Sequence, residues 1–188
     1  QSNEDILWME TYKSPVTLDG NVIGSVGFSR DITEKKVLEK NLIMERDRFE
    51  KYLQTVEAII ISMDKSGKIL LVNRKGCDLL EYTEEELIGQ QWFDLCLPQP
   101  TGMKDVYPIF LDIISGNMHG SEYFENIVKT KSGKEYLIAW HNTYLTDNQG
   151  SIIGTLSAGE NITKRRKDED DLRLAASVFS HSREGIII

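Results

Sequence analysis

The stretch EYLIAWHNTYLTDNQGSIIGTLSAGENIT, residues 135–163, contains two runs of alternating apolar and polar residues separated by the turn sequence Asp-Asn-Gln-Gly. Alternation of this kind is the pattern of β-strands, and a glycine-containing turn between two such runs favours a hairpin. A charged run without glycine or proline follows at residues 164–179. The stretch therefore predicts a β-hairpin that leads directly into a helix.

A shorter version of this pattern occurs near the N-terminus, as LDGNVIGSVGFSRDIT at residues 18–33. Five pairs of identical residues lie 130 positions apart, since 150 − 20 = 130. They are Gly20/Gly150, Ile23/Ile153, Gly24/Gly154, Ile32/Ile162 and Thr33/Thr163. A repeat at this spacing is about the size of one small domain. The chain is therefore predicted to be a slice through an array of repeated domains.

This repeat divides the chain into four predicted segments. Residues 1–33 are the C-terminal strands of a truncated preceding domain, 34–57 form a linker helix, and 58–163 form one complete domain. Residues 164–188 are a helix followed by the first strand of a truncated next domain, because REGIII at 183–188 is similar to VEAIII at 56–61.

The linker at residues 34–57 lacks glycine and proline and is rich in helix-forming residues. Its apolar residues recur at heptad spacing, with one gap at Glu45, and are Leu38, Leu42, Phe49, Tyr52, Val56 and Ile59. Such a stripe favours a coiled coil between two chains, and the alternative is an amphipathic helix that lies on its own domain. The favoured interpretation predicts a homodimer through the linker helices.

The complete domain is predicted to contain two strands, a group of short helices, one longer helix and three long strands. The strands are predicted at 58–64, 69–72, 122–130, 135–146 and 151–162, and the longer helix at 106–115. Thr83 and Glu86 have the spacing of a capping box at the start of a short helix. This order is α+β, with one five-stranded antiparallel sheet and helices on a single face.

Composition and charge exclude several classes of function. The chain has 188 residues, of which 40% are hydrophobic, and a net charge of −8. An acidic surface repels phosphate backbones, which argues against nucleic-acid binding. No apolar run is long enough to span a membrane. Two cysteines, Cys77 and Cys96, without a disulfide framework, favour reduced thiols in the cytoplasm.

No pattern in the sequence points to catalysis. We find no nucleophile–base pair, no phosphate-binding loop and no histidine or cysteine spacing of a metal site. We therefore predict that this stretch is not an enzyme.

Two long stretches resemble PAS domains of bacterial sensory proteins. They are NRKGCDLLEYTEEELIGQQWFDL at 73–95 and KTKSGKEYLIAWHNTYLTDNQGSIIGTLSAGENIT at 129–163, and the second ends in the Asn-Ile-Thr that is typical of PAS/PAC units feeding a signalling helix. The resemblance implies the PAS fold, flanked by signalling helices, and fragments of PAS domains at both ends. The opening LRLAASVFSHSREGIII at 172–188 resembles that of PAS domains in proteins that end in GGDEF or EAL domains.

The resemblance implies a sensory and dimerisation module that relays an event in a ligand cleft through the exit helix to an output domain. That output is a cyclic-di-GMP synthase or phosphodiesterase, or a histidine kinase. The alternative function is a ligand-free spacer that serves only dimerisation and signal relay.

The cleft residues follow from this resemblance together with strand alternation. Ile138, Trp140 and Asn142 share one strand face, which in flavin-binding relatives looks into the cleft. By the same register Asn126 and Leu156 face inward, as do Phe124 and Val128. The two asparagines suit the edge of a planar heterocycle, and Trp92 and Trp140 could stack on or wall the ring.

The cofactor implied by the resemblance is left open. Non-covalent FAD is compatible with the WFD and WHN stretches, and another small ligand or no ligand are the alternatives. A covalent FMN adduct is disfavoured because Trp92 occupies the position of the reactive cysteine. Haem is disfavoured because residues 101–116 contain no histidine.

Overall fold

The computed structural model describes residues 6–181 of the chain. The chain divides into two compact units, Gln1–Tyr52 and Leu53–Ile188. The strand predicted at residues 183–188 lies outside the described residues.

The first unit contains an antiparallel hairpin of β1 (Met9–Leu18) and β2 (Asn21–Asp31). Both residues of its turn, Asp19 and Gly20, have positive φ values of 48° and 81°. This backbone is that of a tight hairpin turn, which Asp-Gly favours. Both strands are exposed throughout, so within this unit the hairpin buries no core of its own.

The first hairpin ends in a hydrogen-bonded exit. Ile32 donates its N–H to the Trp8 carbonyl at 2.9 Å. The Thr33 hydroxyl accepts from the Trp8 N–H at 2.8 Å, and the Asp31 carboxylate accepts from the Thr33 N–H at 2.8 Å. These bonds fix the point at which β2 ends and the following helix begins.

The helix α1 (Thr33–Thr55) follows this exit. Its apolar positions Leu38 and Leu42 are 62% and 73% exposed. The predicted heptad stripe is too long at its C-terminal end, because the helix ends at Thr55 and Val56 lies beyond it. Ile59 is 2% exposed and begins a strand, so its apolar side chain serves the domain core.

The second unit contains one sheet of five antiparallel strands. They are β3 (Ile59–Asp64), β4 (Ile69–Val72), β5 (Tyr123–Lys129), β6 (Glu135–Thr146) and β7 (Ile152–Asn161). Their order in the sheet is β4-β3-β7-β6-β5. This topology confirms the predicted α+β fold with a five-stranded antiparallel sheet.

Short helices connect β4 to β5. They are α2 (Arg74–Leu80), α3 (Glu84–Leu87), α4 (Trp92–Leu95), a π-helical turn (Gly102–Val106) and α5 (Tyr107–Ile114). The predicted capping box is present, since Thr83 and Glu86 bond each other's backbone N–H. The exit helix α6 (Thr163–His181) follows β7. Within the described residues, none of the helices combines the length and the hydropathy needed to cross a membrane.

A hydrophobic core lies between the sheet and these helices. Its fully buried members include Ile61, Ile69, Leu80, Leu87, Leu97, Val128 and Ile138. Close packing of this kind is what an apolar sheet face and an apolar helix stripe achieve together.

The side chain of Glu81 joins α2 to the turn between β5 and β6. Its backbone has φ 64°, the left-handed conformation that ends the helix. Its carboxylate accepts from the Lys134 ammonium at 2.7 Å, from the Ser132 N–H at 3.1 Å and from the Thr130 hydroxyl at 3.0 Å. These donors, the Lys134 ammonium foremost, lower the pKa of Glu81 to about 2, so the carboxylate is ionised at neutral pH.

Asn73 uses both ends of its buried amide to join strand and helix. Its oxygen accepts from the Ile60 N–H at 2.9 Å and from the Gly76 N–H at 3.0 Å, which caps α2. Its nitrogen donates to the carbonyls of Ala58, at 2.9 Å, and Leu53, at 3.2 Å. Both N–H groups and both oxygen lone pairs of the Asn73 amide are therefore hydrogen-bonded, which is all that an amide can form.

We predict that Asn73→Ala lowers the free energy of unfolding by about 2–4 kcal/mol, because two backbone N–H groups lose their acceptor and α2 loses its cap. Chemical denaturation of the two proteins measures the difference. The control Asn148→Ala alters an exposed turn and is expected to change stability by less than about 0.5 kcal/mol. Equal stability of the two variants would contradict this account of Asn73.

Candidate functional site

A cavity of about 40 Å³ lies between α5 and the inner face of the sheet. Its apolar walls are formed by Ile61, Met63, Trp92, Phe93, Val106, Ile109, Phe110, Ile113, Phe124 and Trp140. Its polar wall is formed by Asn126, Asn142, Thr155 and Ser157. All fourteen lining residues are uncharged at neutral pH.

Two tryptophans meet at one side of this cavity. The ring centroids of Trp92 and Trp140 are 5.8 Å apart and the rings are nearly perpendicular, at 88°. Trp140 also lies over the backbone of Gly159, where an added Cβ would come within 2.6 Å of the indole ring. The glycine therefore makes room for Trp140, and the edge-to-face packing of the two rings fills the space between them.

The amide of Asn142 connects β6 to its neighbours. Its nitrogen donates to the Ser121 carbonyl at 3.0 Å, and its oxygen accepts from the Ser157 hydroxyl at 2.7 Å. One N–H and one acceptor site of the amide are left over. Asn142 therefore connects β6 to β7 and to the segment that precedes β5, and still presents polar atoms to the cavity.

Asn126 lines the cavity from β5. Its amide nitrogen donates to the carbonyl of the next residue, Ile127, at 2.9 Å. Asn126 and Asn142 thus face the same cavity, but their amides bond to different parts of the sheet.

Thr155 lies on β7 beside Ser157, and is 1% exposed. Among residues 6–181, its hydroxyl is the buried side-chain polar atom that has no hydrogen-bond partner in the protein. A buried hydroxyl without a partner costs free energy, so this atom marks a point where a polar group of a bound molecule would be stabilised.

The structure corrects the predicted position of Leu156. Leu156 pairs with Thr143 and lies on the opposite sheet face, whereas Ser157 pairs with Asn142 and faces the cavity. The reason is a register shift between Leu145 and Thr146, which moves the pairing by one residue. A shift of one residue exchanges the two faces of a strand.

Of the other predicted residues, Trp92, Asn126, Trp140 and Asn142 line the cavity. Ile138 shares their face but is 0% exposed and belongs to the core beyond the cavity. Thr155 and Ser157 were not predicted. The pairing of Ser157 with Asn142 places Ser157 on the inner face, and strand alternation places Thr155 there as well.

The cavity does not fit an isoalloxazine ring in this arrangement. Sites for molecules of that size usually enclose about 300–1,000 Å³. Cys96 is fully buried outside the lining residues, and burial raises the pKa of its thiol to about 12, so it is not a thiolate at neutral pH. Among residues 6–181 no group of three histidine, cysteine or acidic side chains is placed to hold a metal ion.

The exit from β7 is tied to β6 by backbone and side-chain hydrogen bonds. Ile162, 1% exposed, donates its N–H to the Leu137 carbonyl at 2.9 Å. The Thr163 hydroxyl accepts from the Leu137 N–H at 2.8 Å, and the Asn161 amide oxygen accepts from the Thr163 N–H at 3.0 Å. This is the geometry described above for Asp31, Ile32 and Thr33 in the first unit.

A second connection joins the exit helix to β5. The Arg166 guanidinium forms an ion pair with Glu125, whose carboxylate also accepts from the Tyr123 hydroxyl at 2.6 Å. The Tyr123 hydrogen bond and the Arg166 charge lower the pKa of Glu125. Phe124 and Asn126, on either side of Glu125, line the cavity, so one strand contacts both the cavity and the exit helix.

Comparison with known proteins gives one family. The family model of the PAS fold matches residues 47–162. A probable diguanylate cyclase of Escherichia coli strain K12, DgcE, is 26% identical over 160 residues. That match covers 85% of this chain but 14% of the length of DgcE.

Solved structures agree in fold. The PAS domain of an HTR-like protein from Haloarcula marismortui has a TM-score of 0.52 and 22% identity, covering 68% of this chain and 99% of that one. A domain of the sensory box sensor histidine kinase/response regulator from Geobacter sulfurreducens has a TM-score of 0.50 and 20% identity, covering 64% and 96%. Together with the five-stranded sheet, the family match means that this chain belongs to the PAS family of sensory domains in signalling proteins.

Proposed function

We propose that residues 58–163 are a sensory module that couples the cavity to the exit helix α6. The observation that carries this proposal is the double contact of β5. Phe124 and Asn126 face the cavity, and Glu125 between them holds Arg166 of α6. A molecule that displaces β5 from inside would change the position of Glu125, and hence the ion pair at the first turn of the helix.

Electrostatics make the first turn of α6 sensitive to this ion pair. The run Lys164-Arg165-Arg166-Lys167 places four cations at a helix N-terminus, where the helix dipole disfavours positive charge. Two ion pairs offset part of this charge. Glu125 pairs with Arg166, and Glu160 pairs with Arg165 at 3.5 Å. Loss of the Glu125 contact would therefore favour fraying of the turn, which is a change that a downstream domain could read.

The proposed domain organisation extends this module into an array. Residues 1–33 supply the last strands of a preceding PAS domain, supported by the shared exit geometry of Thr33 and Thr163. In the same proposal, α6 is the signalling helix that leads towards a following PAS domain. The output of such an array would be a cyclic-di-GMP synthase or phosphodiesterase, supported by the similarity to DgcE, and a histidine kinase is the alternative output. We propose a cytoplasmic location for the module.

A second candidate function is a spacer that dimerises without a ligand. The small cavity and the exposed apolar residues of α1 favour it. In this alternative α1 pairs with α1 of a second copy through Leu38, Leu42 and Phe49, and the cavity is only a packing gap.

The relay can be tested by hydrogen exchange of the purified chain. We expect Glu125→Gln to increase exchange of the amides of residues 163–167, because Arg166 loses its ion pair and the first turn frays. The control is Glu122→Gln, which removes a carboxylate three residues before Glu125 in the sequence. It is expected to leave the amide exchange of α6 unchanged.

A charge swap provides the complementary test. The double variant Glu125→Arg with Arg166→Glu is expected to restore protection of residues 163–167 that the single Glu125→Arg variant loses. Unchanged exchange of α6 in Glu125→Gln, or no recovery in the double variant, would overturn the relay.

Dimerisation is tested by sedimentation equilibrium. The chain is expected to dimerise, and Leu42→Gln is expected to weaken the dimer at least about tenfold, since an apolar seam position loses its burial. Lys40→Gln, on the same helix turn, is the control with little expected effect. A monomer at the highest soluble concentration would contradict pairing through α1.

A further inference from the structure

The chemistry of the cavity wall limits what the module can sense. We propose that the cavity takes a small uncharged molecule with one hydrogen-bonding end and an apolar body, the polar end lying against Thr155. This inference rests on the proposed function of the cavity as the sensing site. Three properties of the wall support it: hydrogen-bonding capacity, charge and shape.

The hydrogen-bonding capacity of the wall is concentrated on one side. The Thr155 hydroxyl has no protein partner and offers one donor and its acceptor sites. Ser157 donates to Asn142, which leaves the Ser157 oxygen able to accept and one Asn142 N–H able to donate. A hydroxyl or an amide group, which can both donate and accept, matches this set, whereas a hydrocarbon alone would leave the Thr155 hydroxyl unsatisfied.

The charge of the wall excludes ions. Every lining residue is uncharged, so an anion would find no lysine or arginine and a cation no carboxylate. Taking an unpaired charge out of water costs more than these neutral hydrogen bonds return. The cavity should therefore discriminate by charge among molecules of equal size and shape.

The size and shape of the cavity restrict the body of the molecule. The volume of about 40 Å³ holds roughly three water-sized groups. Opposite Thr155 the wall is apolar, formed on α5 by Ile109, Phe110 and Ile113. A short apolar tail beneath α5 would replace contacts with water by contacts with these side chains.

Three probes of equal length and different charge test the proposal on the 188-residue chain. They are ethanol, acetate and ethylammonium at pH 7, titrated while amide chemical shifts are recorded. We expect saturable shifts on β7 and α5 with ethanol, and at least tenfold weaker binding of both ions.

The variant Thr155→Val removes the hydroxyl and keeps the shape of the side chain. It is expected to weaken ethanol binding about tenfold, which corresponds to the loss of one good hydrogen bond. It should also raise the melting temperature of the ligand-free chain by roughly 3 °C, because an unsatisfied buried hydroxyl is removed. Thr143→Val, at an exposed position on the other sheet face, is the control for both effects.

Binding of either ion as tightly as ethanol would overturn the inference, as would unchanged ethanol binding in Thr155→Val. Failure of all three probes to give saturable shifts would overturn it as well. These outcomes are separate from the relay, which hydrogen exchange of Glu125→Gln tests without any probe.

Discussion

The hydrogen bonds that join Leu137 of β6 to Ile162 and Thr163 are the constraint on which the signalling geometry depends. Backbone N–H and C=O groups that leave water need partners, and both groups of the half-buried Leu137 bond to Ile162 and Thr163, where β7 passes into α6. The sheet therefore determines where the exit helix starts and in which direction it leaves. The same hydrogen bonds occur at Trp8, Ile32 and Thr33 in the first unit, which supports the proposed repeat.

Among the described residues, none that lines the cavity belongs to α6, so in the proposed relay the cavity acts on this exit through the strands of the sheet. β6 carries Trp140 and Asn142 in the cavity and Leu137 at the exit, and β5 carries Asn126 in the cavity and Glu125 beneath α6. Two polar groups of the cavity wall, the Asn142 amide and the Ser157 hydroxyl, hydrogen-bond to each other and so connect β6 to β7. A ligand that competed for the Asn142 or Ser157 hydrogen bonds would therefore alter the sheet itself, which is how a small site could affect a helix outside it.

The sequence was sufficient to predict the fold because each turn has its own local signal. The glycine-containing turns, the Thr83 capping box and the alternating strands all act over a few residues, and the structure confirms the five-stranded antiparallel sheet that they predict. The position of Leu156 could not be predicted in this way. The register shift at Leu145 is marked only by a strand glycine, Gly154, and the first hairpin has the same shift at Val16 beside Gly24. Counting from the turn without this shift assigned the wrong face. Thr155 was not predicted for the same reason. That its hydroxyl lacks a hydrogen-bond partner is visible only once the neighbouring side chains are placed.

The most direct test of the coupling perturbs the cavity from α5, the helix that covers the inner face of the sheet. Ile109→Phe enlarges a side chain of α5 that lines the cavity, and Leu111→Phe makes a similar enlargement at an exposed position of the same helix. Hydrogen exchange of residues 163–167 should change in Ile109→Phe and stay as in the unaltered chain in Leu111→Phe. If the changes in Ile109→Phe stop at α5 and the inner face of the sheet, the cavity is not coupled to the exit helix.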